Sequence, residues 1–534
     1  MAPTVRTFVR RICTFAAATI LVSVLAASSA HAQDQLTAVK PAPGAAEPRI
    51  EHWIGTIYLP NASCPQVTFV VTFRKAAGEA PWAATLSITP GCSVGGMLDV
   101  VMSEVVYTDD KIQFVSPPPP SENLYDLTVA ADKQSARGQL ILGRQQAVLI
   151  RMRRATADEA RDAAPRRPQI PTSPLPYDVR DISITNPDDA VTLSGVVTTP
   201  RENGAASSTT ANTLPSAPAA TAAAKRPAVI LIGDENPHDM DQSEGFHKPG
   251  LVLADYLTRQ GVIVLRFDDR GMGHSGGNST EQTLPQAAVD VKAAIAVLAA
   301  MPEVDPKRIG LIGRGEGATI AALAAADNPQ VGFVVLMAPA AVPWKDVLVL
   351  REKSVLEAQG EDAAFVKARI ERYSKLLGLA ASGENADGLR EALRGDVLER
   401  GNAQRTGGAV NEFQINDIVD AQMEYLTLPR VISSLSVDPK RSLEKLCCPV
   451  LALAGELDMH TPAKETMQGV EAALRSCASG KADRVTLHTF ARTNHWFQPC
   501  NTGFDDEYDK IELTISPEVL KVIGDWIRAA GATP

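Results

Sequence analysis

"IGLIGRGEGATIAALAAA", residues 309–326, sets an apolar run, a turn with three glycines and an Ala-rich helical stretch in immediate succession. Two chemistries require such a turn. In a dinucleotide site the pattern G-x-G-x-x-(G or A) lets the backbone approach a pyrophosphate closely. In a nucleophile elbow, small residues flank a central nucleophile so that a strand can bend sharply into a helix. The dinucleotide reading needs an acid at the end of the next strand, about 20 residues on, to hold the ribose. That strand reads "VGFVVLMAPA", residues 331–340, with no acid. It also needs the motif on the first strand of the series, and here the motif follows the third long parallel strand. The elbow reading is left, with Gly315 where a nucleophile should stand.

Around this turn, apolar runs alternate with helical stretches: "AVILIG" from 228, "GVIVLRF" from 261, "VGFVVLM" from 331, "PVLALAG" from 449 and "RVTLHTF" from 484. Such alternation specifies a mostly parallel sheet with helices on both faces. Residues 340–440 are rich in Glu, Leu, Lys and Arg at helical spacing, which predicts a helical cap inserted over the strand ends. A hairpin pattern, "VRDISITNPDDAVTLSGVVTTP", opens the unit assigned to 177–534, and the Ser/Thr/Ala-rich insert 202–225 is expected to be disordered. Residues 49–155 carry short alternating runs separated by turn signals, the pattern of an antiparallel meander or small barrel. A Pro-rich linker at 156–176 joins the two units, and a second linker covers 33–48.

Residues 1–32 have the form of a signal peptide: Arg6, Arg10 and Arg11, an apolar run from Phe15 to Ala27, then Ala30-His31-Ala32. Cleavage near Gln33 would export the protein to the periplasm or medium; a retained N-terminal anchor is the alternative. Removal of these residues takes the balance from 52 basic and 62 acidic residues to 49 and 62, a net charge of −13. That disfavours nucleic acid and anionic membrane as partners. No later stretch is long enough for stable membrane insertion. Six cysteines remain, an even number compatible with disulfides in an exported chain. Cys64 pairs most naturally with Cys92, and Cys447 and Cys448 could each seek Cys477 or Cys500. No metal-ligand spacing and no cofactor motif survives, so neither a metal nor a cofactor is expected.

An elbow demands an acid and then a His further along the chain. Asp458 follows a strand in "LALAGELDMHTP", and His495 follows the last strand in "FARTNHWFQP". With "HKPGLVLADYLTRQGVIVLRFDDRGMGHSGG", "RIGLIGRGEG", "DPKRSLEKLCCPVLALAGELD" and "TISPEVLKVIGDWI", these segments resemble the α/β-hydrolase family. The likeness is to its exported carboxylesterases and serine aminopeptidase-like members with an N-terminal β domain. The resemblance implies an α/β-hydrolase fold with a helical cap, preceded by a small antiparallel β domain. It places Asp458 as triad acid, His495 as base and Gly315 at the nucleophile position.

By the same resemblance the backbone N–H of Glu316 supplies one oxyanion donor, and the loop at Asp234 the other. Carboxylates at Asp234 and Glu235 replace the small neutral residues usual there, and a charge about 4 Å from an oxyanion costs about 4 kcal/mol at an effective dielectric of 20. Loss of the Ser alone costs about 10⁶ in turnover. The expectation is an impaired hydrolase that binds an ester, acyl or peptide-like small molecule. The alternative is an active hydrolase using a His495/Asp458 dyad or another nucleophile. Ser275, in the literal G-x-S-x-G of "GHSGG", is that other candidate, although a loop rather than a helix follows it. His460 reads as an exposed neighbour of Asp458, and His238, His247 and His274 as loop residues with structural hydrogen bonds.

Overall fold

The computed structural model describes residues 49–58, 66–75, 81–88, 97–116, 123–142, 146–164, 166–201, 225–245, 247–403, 412–477 and 484–530. The signal peptide, the 33–48 linker, nearly all of the 202–225 insert, Cys64 and Cys92 lie outside these residues. The chain divides into two compact units.

The first unit is a nine-stranded antiparallel meander. Its strands are β1 (Arg49–Tyr58), β2 (Gln66–Lys75), β3 (Trp82–Ile88), β4 (Met97–Val101), β5 (Ser103–Tyr107), β6 (Lys111–Ser116), β7 (Asn123–Val129), β8 (Ser135–Leu142) and β9 (Gln146–Ala155). The order is β4-β3-β2-β1-β9-β8-β7-β6-β5. The two edge strands, β4 and β5, are joined through the single residue Met102, so the sheet has to curl back toward itself. Period-two alternation then sends one face inward, where Trp53, Phe69, Phe73 and Phe114 are fully buried. Each such side chain contributes about 1.5–3 kcal/mol on burial. Helix α1 (Ala157–Ala163) occupies the start of the stretch expected to be linker. The signal was local: Thr156 and Glu159 form a reciprocal capping box, the T-x-x-E pattern that starts helices.

The second unit holds β10 (Tyr177–Thr185), β11 (Thr192–Pro200), β12 (Arg226–Ile232), β13 (Ile263–Phe267), β14 (Val304–Arg314), β15 (Val331–Met337), β16 (Val450–Gly455) and β17 (Val485–Phe490). Their order is β10-β11-β13-β12-β14-β15-β16-β17, antiparallel through β10, β11 and β13 and parallel from β13 onward. This is the α/β-hydrolase fold: two antiparallel strands, one exchange of neighbours, then parallel strands to the far edge. Helices α2 (Pro249–Arg259), α3 (Leu284–Ala299) and α4 (Glu316–Ala325) connect the central strands. All six residues of β16 and all five of β13 are buried, as expected when helices cover both faces of a sheet.

Between β15 and β16 the chain forms α5 (Trp344–Ala358), α6 (Ala363–Ser382), α7 (Ala386–Ala403), α8 (Glu412–Leu426) and α9 (Pro429–Ser436), followed by α10 (Lys440–Glu444). The first five share a core of their own that includes Val347, Leu377, Leu393 and Val419. Helices α11 (Ala463–Arg475), α12 (Asp505–Tyr508) and α13 (Pro517–Ala530) complete the unit. Cys447 is disulfide-bonded to Cys477, whereas Cys448 and Cys500 are free thiols. Among the described residues no helix is long and apolar enough to cross a membrane, and no three His, Cys, Asp or Glu side chains converge as for a metal.

Candidate active site

Strand β14 ends at Arg314, and α4 begins at Glu316 with Gly315 as its N-cap at φ 54°, ψ −117°. The turn is tight because its flanking glycines leave no room for side chains. A Cβ on Gly313 would lie 2.1 Å from the Gly317 carbonyl oxygen, and one on Gly317 would lie 1.9 Å from that of Gly233. The elbow is therefore packed directly onto the loop that follows β12. That loop carries Asp234, while the turns after β16 and β17 carry Asp458 and His495.

The structure brings Gly315, Asp234, Glu316, Asp458 and His495 together, with all four side chains buried. Asp458 Oδ1 accepts the backbone N–H groups of His460 and Thr461, both at 2.8 Å, which holds the carboxylate facing the ring. Its Oδ2 meets His495 Nδ1 at 2.8 Å. On the far side of the ring, His495 Nε2 contacts Asp234 Oδ2 at 2.7 Å. A nucleophile's hydroxyl belongs at this second contact; a carboxylate fills it. The other Asp234 oxygen, Oδ1, accepts the N–H groups of Glu316 at 3.2 Å and Glu235 at 2.8 Å. They are the two N–H groups at which the resemblance puts the oxyanion donors, one from the residue after the elbow and one from the β12 loop.

The Asp234 carboxylate thus bonds, through its two oxygens, both the His495 Nε2 and the two N–H groups that the resemblance assigns to the oxyanion. It also explains Gly315: a Cβ there would lie 1.8 Å from Asp234 Oδ1.

The electrostatics follow from the geometry. Both ring nitrogens of His495 face carboxylates. Burial works against a charged ring, but Asp458 and Asp234 outweigh it and hold the pKa at about 10. Burial likewise disfavours ionised Asp234, yet His495 and then Arg314 hold its pKa well below the usual carboxylate range. The arrangement favours an imidazolium between two carboxylates, with Arg314 Nε 3.1 Å from Asp234 Oδ2. Such a ring has no lone pair with which to act as a base.

A second tier of charge closes over this centre. Glu316, at the elbow, is bound by Arg430 and by the Ser434 hydroxyl, both from α9 of the cap. Burial raises its pKa despite Arg430. Burial also pushes Glu235 up, to about 7, with Arg351 opposing and Asp234 reinforcing the shift. His460 is not the exposed neighbour expected: its ring stacks on His495 at 4.8 Å and 15°, and its Nε2 bonds Asp505 at 2.7 Å. Arg314, Arg351, Arg430 and Ser434 carried no motif that could flag them. Arg314 lies within the elbow sequence, but the other three come from helices whose contacts only the tertiary fold creates.

Ser275 stands apart from this cluster. Its hydroxyl donates to the Asp268 carbonyl at 2.6 Å and accepts the Ser194 N–H at 2.9 Å. The GHSGG turn thereby ties the end of β13 to β11. Of the loop histidines, His274 donates its backbone N–H to Asp268 and His238 its own to Asp269.

Residues 251–495 match the family model described as "Serine aminopeptidase, S33". "Thiohydrolase apmlB" of Arthrinium phaeospermum is 33% identical over 129 residues, 23% of this chain and 38% of that protein. "Inactive dipeptidyl peptidase 10" of Rattus norvegicus is 38% identical over 101 residues, 18% of this chain and 12% of that protein. The chain spans 29–38% of the length of the first curated relatives it matches. Among solved structures, the α/β hydrolase GrgF from Penicillium sp. sh18 aligns with a TM-score of 0.38 and 18% identity, covering 67% of this chain and 100% of its own. By its sheet order the chain is an α/β-hydrolase-fold protein, and its residues 251–495 match the serine aminopeptidase S33 family.

Proposed function

We propose that this chain is an exported, hydrolytically silent relative of ester and peptide hydrolases, which binds an ester, acyl or peptide-like small molecule rather than cleaving it. One observation carries the reading: the Asp234 carboxylate lies 2.7 Å from His495 Nε2 while its other oxygen takes both oxyanion donors. Acyl transfer needs a neutral imidazole, a nucleophilic oxygen and an empty oxyanion hole. Here the imidazole is charged, the elbow has no hydroxyl, and the hole contains an anion.

Retention of the fold, the cap and the acid–His pair without turnover suits a binding role. "Inactive dipeptidyl peptidase 10" of Rattus norvegicus, among the similar proteins, adds support. Export is supported by the N-terminal pattern and by the Cys447–Cys477 bridge, since disulfides persist mainly in oxidising compartments.

The decisive experiment pairs Gly315→Ser with Asp234→Gly, because either change alone leaves the corner obstructed or without a hydroxyl. Wild type should neither hydrolyse short-chain aryl esters nor react with a fluorophosphonate probe. The double variant should gain both properties, and a short-chain aryl ester should raise the wild-type melting temperature. Wild-type turnover that disappears in His495→Ala would overturn the proposal in favour of an active dyad. N-terminal sequencing of the protein recovered from the periplasm should begin near Gln33.

A further inference from the structure

At the end of the parallel sheet opposite the elbow, the starts of β12 and β14, the turn after α2 and the last turn of α13 border a cleft of about 350 Å³. Roughly 20 Å of strand, at about 3.3 Å per residue, separates Arg308 on its rim from Arg314 at the elbow. Lys225, Arg226, Arg308 and Arg528 line the cleft, together with Gln260 and Gly261, and no acidic side chain does. In a chain of net charge −10 this is a local reversal of sign.

Arg528 has a structural explanation. It is bonded to Gln260 and to Asp525, which it shares with Lys521, and it lies in the last turn of a helix, where cations are favoured. The other three cations have no such account. Among the described residues no carboxylate forms an ion pair with Lys225, Arg226 or Arg308. The Arg308 Nε is buried without a hydrogen-bond partner, so no protein group fixes this edge of the guanidinium. Gly261, at φ 91°, leaves its side-chain position open beside Arg226: a Cβ there would lie 3.6 Å from Nη1.

We propose that this cleft binds a phosphate-bearing ligand, a phosphate monoester or pyrophosphate group held by the Arg226 and Arg308 guanidinium groups with Lys225 and Arg528 alongside. Guanidinium forks match phosphate oxygens two at a time, and the space suits a small molecule rather than a polymer. The ligand could be free in solution or carried on a lipid headgroup.

Calorimetric titration of the full chain with inorganic pyrophosphate tests the site. Binding should saturate, weaken as salt rises, and fall at least tenfold in Arg226→Gln/Arg308→Gln. A control, Lys440→Gln/Arg441→Gln, removes two cations outside the cleft and should bind as wild type does. Unchanged melting temperature and circular dichroism establish that the cleft variant is folded; if it is not, Lys225→Gln should still weaken binding. Phosphatidylglycerol vesicles, compared with phosphatidylcholine vesicles, identify a lipid source if they too bind through Arg226 and Arg308. Absence of saturable pyrophosphate binding, or equal weakening in cleft and control variants, would overturn the proposal.

Discussion

Two glycine-flanked turns in this chain, Gly313–Gly317 and Gly273–Gly277, share a spelling and have opposite fates. The first lacks a hydroxyl but sits on the His495 side of the sheet, where a carboxylate from the neighbouring loop has entered the vacant corner. The second has a hydroxyl, Ser275, but spends both of its hydrogen-bonding capacities on backbone groups. A G-x-S-x-G pattern becomes an elbow only when a buried parallel strand precedes it and a helix follows at once. The first turn lies between β14 and α4; the second runs from β13 into a loop, and α3 does not start until Leu284. Context decides which turn faces the histidine, and residue identity decides what can happen there.

The largest break in this contrast should come from Gly315→Ser alone. Its Cβ displaces the Asp234 carboxylate, and breaking a buried ion pair costs about 3–5 kcal/mol. A side chain at φ 54°, ψ −117° adds about 1–3 kcal/mol of strain. Asp234→Ala should incur only the ion-pair loss, so urea unfolding should rank wild type above Asp234→Ala and that variant above Gly315→Ser. If Gly315→Ser is as stable as wild type, Asp234 does not occupy the corner.

The pH dependence is of intermediate size. His495 has its pKa raised from 6.5 to about 10, so its contribution is complete below pH 6.5 and is lost as pH rises toward 10. Asp234, held below its ordinary 3.8, contributes above that value and loses its share as the solution becomes more acid. Glu235, raised from 4.5 to about 7, favours the folded state below 4.5 and loses this effect between 4.5 and 7. Stability should therefore be greatest near pH 4 to 4.5, decline through pH 7 as Glu235 ionises, and fall further toward pH 10 as His495 loses its proton. Melting temperatures at pH 5.5 and 9 check the sign. The difference should shrink in Asp234→Asn, which withdraws one of the two anions that keep His495 charged.

The smallest effect should come from the second turn. Ser275→Ala leaves the Asp268 carbonyl and the Ser194 N–H without their shared partner, at a cost of about 1–2 kcal/mol. Fluorophosphonate labelling of the Gly315→Ser/Asp234→Gly variant should be unchanged by it. Labelling lost with Ser275 would reverse the assignment of the two turns.

Much of the scaffold was legible because its signals are local. Buried runs such as "VLALAG" and "IVLRF" announce strands covered on both faces, and alternation in "VTFVVTF" announces a strand with one buried face. The helix at Ala157–Ala163 is less legible, because the prolines after it signal a linker while only the Thr156/Glu159 cap signals a helix. The burial of His460 is not legible in the sequence, because stacking on His495 depends on a residue 35 positions away. The cap arginines were invisible for the same reason: nothing in the sequence near Arg430 or Arg351 indicates that Glu316 or Glu235 lies opposite.

By itself the amino-acid sequence determined the α/β order, the separate antiparallel β unit, the missing hydroxyl at Gly315 and the acids in the β12 loop. These are properties of residue type and spacing, which the chain carries before it folds. Only the tertiary structure decided that Asp234 points toward His495 and the Glu316 N–H rather than away from them, and that His495 lies between two carboxylates that raise its pKa. Charge state depends on distances between groups brought together from three loops, with Asp234 and His495 separated by 261 positions. At 2.7 Å in a buried site, that proximity outweighs the intrinsic pKa of either residue.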